Sequence, residues 1–119
     1  MDQQKEIAVL ANEFEAAQKV LNALGDENRQ CLILKMMQMS SCSGVRVGEI
    51  TRDTHLSRPA VSRHLKVLKE AGIIKMRREG TRNYYYFDTE PETLTQLMIM
   101  LEHVRQIMAR LPDRSIPDD

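Results

Sequence analysis

Arg58, Ser62, Arg63, Lys66 and Lys69 recur at the three- and four-residue spacings that gather side chains on one face of a helix. Guanidinium groups near the start of such a helix, Arg58 and Arg63, can each grip guanine through O6 and N7, and Ser62 can contact a base or a phosphate. Ser57, Lys66 and three arginines further on, Arg77, Arg78 and Arg82, are placed to hold phosphates, which fix register and make affinity depend on salt. Lys69, near the far end, reads as solvated surface. Other chemistry is thinner. Cys31 and Cys42 stand eleven positions apart and can serve redox sensing only as accessible thiolates; otherwise both are incidental. There is no glycine-rich phosphate loop, no His-Glu-x-x-His and no nucleophile–base pair, so the chain reads as a non-enzyme without a cofactor.

The basic residues need a scaffold, and their neighbours predict one. Ser57 suits a helix N-cap, and Pro59 fits the first turn, where a missing N–H costs nothing. Val61, Leu65 and Leu68 form the opposite, apolar stripe, and Gly72 ends the helix. A strand follows over residues 73–78, then a Glu79-Gly80-Thr81 turn and the aromatic run Tyr84-Tyr85-Tyr86-Phe87. The tyrosines can stack on bases, but an alternating strand more simply packs one face on the core. A short basic helix followed by a basic hairpin is the layout of a DNA-reading helix with a wing.

Charge agrees with that layout. The net charge of zero hides nine Lys/Arg against three Asp/Glu over residues 52–82, with acidic excess on both sides. A basic centre between acidic flanks suits a protein that meets a polyanion with one face.

The flanking helices predict the rest. Ile7, Leu10, Phe14, Ala17, Leu21 and Leu24 alternate by three and four along one helix over residues 3–24, which Gly25 stops. Asp26 caps a second helix over 27–39, with Leu32, Ile33 and Met36 inward. A polar loop over 40–44 carries Cys42, and a short third helix over 47–53 turns Ile50 inward. Pro91 begins a last helix, capped by Asp88 or Thr89, with Leu94, Leu97, Leu101, Val104, Met108 and Leu111 in a second seam. Met98, Met100 and Ile107 widen that seam beyond what a small monomer buries. A homodimer interface through Leu10, Phe14, Ala17, Leu97, Leu101, Val104 and Met108 is therefore expected. The expected fold is mainly α with a small β-hairpin: a winged helix-turn-helix whose long N- and C-terminal helices form the dimer interface. It is one domain over residues 1–111, followed by a flexible polar tail over 112–119. No apolar run spans a bilayer, the N-terminus lacks a signal peptide's apolar segment, and two cysteines make no disulfide framework; a cytoplasmic protein is expected.

Leu56-Ser57-Arg58-Pro59-Ala60-Val61-Ser62-Arg63-His64-Leu65, Val67-Leu68, Glu70-Ala71-Gly72 and Arg77-Arg78-Glu79-Gly80 closely resemble the ArsR/SmtB family of winged-helix transcriptional repressors. The resemblance reaches back to Ala23-Leu24-Gly25-Asp26-Glu27-Asn28-Arg29 and covers roughly residues 20 to 105. It implies a homodimeric repressor on double-stranded operator DNA, released by an effector that the sequence leaves open. In one class of the family paired cysteines start the third helix; the matching positions are Arg46 and Gly48, neither a metal ligand. A second class places its ligands at both ends of the last helix, a register that falls on Glu90, Glu92, His103 and Gln106. Glu90, Glu92 and His103 make at best a weak, oxygen-rich metal site. The rival function is a winged-helix module for protein–protein contact, and the arginines of the helix and wing favour DNA over it.

Overall fold

The computed structural model describes residues 2–39 and 44–115. Ser57 does cap the central helix: its Oγ accepts the N–H of Ala60 at 3.3 Å, and helix α5 runs Arg58–Glu70. Its stripe of Val61, Leu65 and Leu68 is wholly buried. At the far end the N–H of Ile73 reaches the carbonyl of Leu68 at 3.1 Å, and that of Gly72 reaches Lys69 at 3.0 Å. Gly72 supplies the left-handed φ of 79° that this Schellman ending needs. A Cβ there would also stand 3.1 Å from Thr93 Oγ1, so the position is closed to larger residues twice over.

The helices before α5 build its seat. Helix α3, Glu27–Gln38, is capped by Asp26, whose Oδ1 accepts the N–H of Arg29 at 3.1 Å. Helix α4, Val47–Arg52, turns Ile50 into the core and leads through residues 53–57 into α5. Leu32, Met36 and Ile50 meet the α5 stripe there, as the sequence spacing predicts.

The N-terminal segment departs from expectation. In place of one helix over 3–24 there are two, α1 over Gln3–Ala16 and α2 over Gln18–Leu24. Ala17 between them has φ −91° and ψ 1°, and Gln18 Nε2 donates to the Phe14 carbonyl at 3.1 Å. No glycine or proline marks the spot. The two halves pack on different partners, α1 along the last helix, α6 (Glu92–Arg110), and α2 on α5 and α3, and the bend serves both. Gly25 follows α2 with an ordinary φ of −85°, so it ends the helix without left-handed geometry.

The wing pairs β1, Ile74–Glu79, with β2, Arg82–Phe87, antiparallel from Ile74 opposite Phe87 to Glu79 opposite Arg82. Gly80 takes φ 63° at the first loop residue, the position that two-residue type II′ hairpins reserve for glycine. Tyr85 and Phe87 pack on the core, as alternation requires. Val45 adds a rung the sequence did not announce, exchanging both hydrogen bonds with Tyr85 at 2.8 Å.

Helix α6, Glu92–Arg110, starts one residue after the expected point. Pro91 itself is the N-cap and no side chain caps it; Asp88 Oδ1 instead takes the N–H of Glu90 at 3.0 Å. The expected cap from Asp88 or Thr89 is thus corrected: a turn closes over Asp88 before the helix begins. Leu97, Met100 and Ile107 face inward, while Met98, Leu101, Met108 and Leu111 stay exposed. Residues 111–115 form no regular element, and 116–119 of the expected tail lie outside the described residues.

Asp26 carries a pH signature. The Arg29 N–H, and after it the Arg29 charge, hold its carboxyl below the usual aspartate range. A depressed folded value contributes stability above that range and loses it as pH falls through the folded value. Asp26→Asn keeps a good cap but removes the charge. The expected result, read from urea midpoints against pH, is a variant less stable than the parent at neutral pH, the gap closing on acidification.

Candidate nucleic-acid interface

With one side of α5 locked into the core, its other side is solvent. Arg58, Ser62, Arg63, Lys66 and Lys69 are all exposed there. Among the described residues Arg58, Arg63 and Lys66 make no ion pair or hydrogen bond through their charged groups. Free cations on a rigid helix face keep their donors for an outside acceptor.

The wing arginines divide. Strand alternation puts Lys75, Arg77 and Glu79 on one face of β1, opposite Tyr86, Tyr84 and Arg82 of β2. Arg77 is engaged: its Nε donates to Glu79 Oε1 at 2.9 Å, and its guanidinium lies 5.1 Å from the Tyr84 ring centre. Arg78 points to the other face and donates to the Gly80 carbonyl at 3.0 Å, tying down the turn. Arg82 is exposed, with no such partner among the described residues. Tyr84 thus supports a cation, a role the sequence reading missed although register would have revealed it.

The largest omission is Arg29. Only 8% exposed, it donates from Nε to the Ala23 carbonyl at 3.0 Å and from Nη2 to Asn22 at 2.8 Å. Its Nη1 stands 3.3 Å from His64 Nδ1 on α5 and 3.8 Å from Asp26 Oδ2. Because a guanidinium only donates, that His64 contact requires an unprotonated Nδ1. One side chain therefore joins the end of α2, the start of α3 and the middle of the outward-facing helix. An arginine three residues after a capping aspartate was the available signal.

The other candidates do not converge within the chain. Glu90 and Glu92 sit at the start of α6, and His103 lies about 16 Å further along its axis at 1.5 Å per residue. His103 Nδ1 faces the Glu13 carboxylate of α1 at 2.7 and 3.0 Å. Gln106 donates to Glu102 at 3.4 Å. Among the described residues no three His, Cys, Asp or Glu side chains gather as a metal site. Arg46 precedes α4 as its N-cap and Gly48 lies within it. Cys31 is exposed on α3; Cys42 lies outside the described residues. Leu10 and Val104 are half-buried, Phe14, Leu101 and Met108 exposed, and Ala17 and Leu97 buried within the chain.

A short helix, a turn, an outward basic helix and a two-stranded wing define a winged helix-turn-helix, a DNA-binding architecture. A family model described as "Bacterial regulatory protein, arsR family" matches residues 26–76, from the Asp26 cap into β1. The uncharacterized HTH-type transcriptional regulator MJ1325 of Methanocaldococcus jannaschii is 38% identical over 61% of this chain and 79% of its own length. The HTH-type transcriptional regulator YgaV of Escherichia coli is 33% identical over 71% and 83% respectively. In fold, the homodimeric winged helix-turn-helix DNA-binding domain Mb0332 from Mycobacterium bovis matches with a TM-score of 0.56 at 22% identity, covering 95% of each chain. The chain belongs to the ArsR family of transcriptional regulators, and these relatives are regulators rather than enzymes.

Replacing Arg29 with Met keeps volume but strips the donor from the buried Ala23 carbonyl and one donor from that of Asn22. The expected cost is about 2–3 kcal/mol of folding stability by urea denaturation. Amide exchange should quicken in the middle of α5 before it does in α6, because α5 loses a direct contact with Arg29 and α6 has none.

Proposed function

We propose that the protein is a homodimeric repressor that binds double-stranded operator DNA through α5 and the wing and is released by an effector. The observation that carries this reading is α5 itself, fully buried along Val61, Leu65 and Leu68 yet presenting to solvent Arg58, Arg63 and Lys66, which have no partner among the described residues. In this reading Arg58, Ser62 and Arg63 read bases, while Ser57, Lys66, Arg78 and Arg82 hold phosphates. Arg77 meets phosphate from its seat on Tyr84, where the ring and Glu79 limit its reach. Its working compartment is the cytoplasm, and none of the described helices is long and apolar enough to cross a membrane.

Dimerisation is supported by apolar surface that none of the described residues covers. Met98 is 71% exposed, Leu101 52% and Met108 64% on α6, with Ile7 and Phe14 exposed on α1. Contiguous apolar exposure of this kind marks a partner surface. The Mycobacterium bovis neighbour is described as homodimeric, which agrees. Two copies joined through this face would set two α5 helices at a fixed spacing for two half-sites.

Both halves of the proposal are measurable. Arg58→Ala or Arg63→Ala is expected to cost about 1–3 kcal/mol on a selected operator and far less on a scrambled duplex. Arg82→Ala is expected to weaken both alike and to lower the salt slope by about one. Equal losses on both duplexes for the α5 variants would contradict base readout. In sedimentation the parent protein should be a dimer at micromolar concentration, and Leu101→Glu should weaken association at least about a hundredfold.

A further inference from the structure

A cavity of about 380 Å³ opens where three parts of the chain meet: the α1–α2 bend, the end of α5 and the first half of α6. That volume lies within the range of small-molecule sites, about 300–1,000 Å³. Ala16, Ala17, Val20, Ala71 and Ile99 give it apolar walls. Glu13, Lys19, Glu70 and Gln96 stand around them, with Thr93. Resting on the effector reading above, we propose that this cavity binds a small organic amine with an apolar body, and that occupancy is sensed by α5.

The charge pattern selects the ligand. The polar lining offers two carboxylates, an amide oxygen and a hydroxyl against the single ammonium of Lys19. Glu70 has no hydrogen bond or ion pair among the described residues, so its carboxylate is free. Glu13 is held by His103 Nδ1 and still has acceptor capacity, since a carboxylate offers about four lone-pair sites. The hydroxyl of Thr93, another lining residue, is buried without a partner among the described residues. A ligand ammonium brings three donors to this acceptor-rich rim, whereas a ligand carboxylate would meet two of its own kind. The alkyl body gains from the walls, each buried methylene contributing about fourfold in affinity.

The cavity also lies away from most of the proposed dimer face, of which Met98 comes nearest to it. At 100° per residue, Ile99 lies about 160° around α6 from Leu101, and Ala16 lies about 160° around α1 from Phe14. Coupling to DNA runs through the end of α5. Glu70 and Ala71 line the cavity, and Thr93 packs against Gly72, where an added Cβ would come within 3.1 Å of it. A ligand touching α5 and α6 at once favours one placement of α5, and any such preference is returned as a change in DNA affinity.

The test is calorimetry on the full chain with hexylamine, hexanol and hexanoate, alongside anisotropy titration of a selected operator. Hexylamine is expected to bind at least about tenfold tighter than the other two. Ile99→Trp, which sets a bulkier side chain in the wall of the cavity, should weaken that binding at least about tenfold. Glu70→Gln, an exposed change that leaves packing alone, should cut the amine preference at least about fivefold. Operator affinity of the parent should shift with hexylamine, and that of Ile99→Trp should shift less at the same concentration. Equal binding of the three probes, amine binding unweakened by both substitutions, or an operator affinity unmoved by bound amine would overturn the proposal. Amine binding as described in a protein that binds no duplex would instead remove the repressor reading and leave the site standing.

Discussion

A buried guanidinium organises this domain. Arg29 donates to the last carbonyls of α2, holds to Asp26 at the start of α3 and reaches His64 on α5. Hydrogen bonds to a charged donor contribute about 1.5–3 kcal/mol each, while taking the charge out of water costs several. The two nearly offset, so the network adds more to geometry than to net stability. Its geometry is specific because the planar fork accepts only one arrangement of acceptors. A shift of α3 against α2 would strip the buried Ala23 carbonyl of its donor, and a shift of α5 against both would lose the His64 contact.

The seat so formed lets one helix serve two media. The inner stripe of α5 is wholly excluded from water, and the outer face holds arginines without partners among the described residues. The wing uses its residues differently. Tyr84 and Glu79 steady Arg77, and Arg78 ties the Gly80 turn, so part of the wing's positive charge stiffens the hairpin. Arg82, exposed beside the turn, has no partner among the described residues.

Helices α1 and α6 form a second layer with its own division of labour. Glu6 with Arg110 and Glu13 with His103 clasp the pair in antiparallel register, seven residues apart on each helix. Leu97, Met100 and Ile107 are buried, and Met98, Leu101 and Met108 are left exposed. A single α6 therefore gives some apolar residues to the chain's own packing and leaves others in water. The bend at Ala17 sends α1 along α6 and α2 into the seat of α5, which places the α1–α2 joint beside the end of α5.

What the sequence settled by itself was local. Ser57, Pro59 and Gly72 bound α5, Val61, Leu65 and Leu68 choose its inner side, and Asp26 starts α3, because caps and periodicity act within a few residues of chain. The outward set on α5 followed from that stripe alone. Tertiary structure decided whatever needed a distant partner. The break at Ala17 carries no local breaker, and the Val45 rung depends on β2 lying alongside. The turn over Asp88 displaced a cap that spacing had suggested. Arg77 and Arg78, adjacent in sequence, were separated by strand pleating and by Tyr84 across the hairpin. Arg29 could be read as a motif residue but not as a joint, since its acceptors lie on neighbouring elements brought together only by folding. Local signals determine where elements begin and which face is apolar; which groups satisfy a buried donor depends on the elements that come to lie beside it.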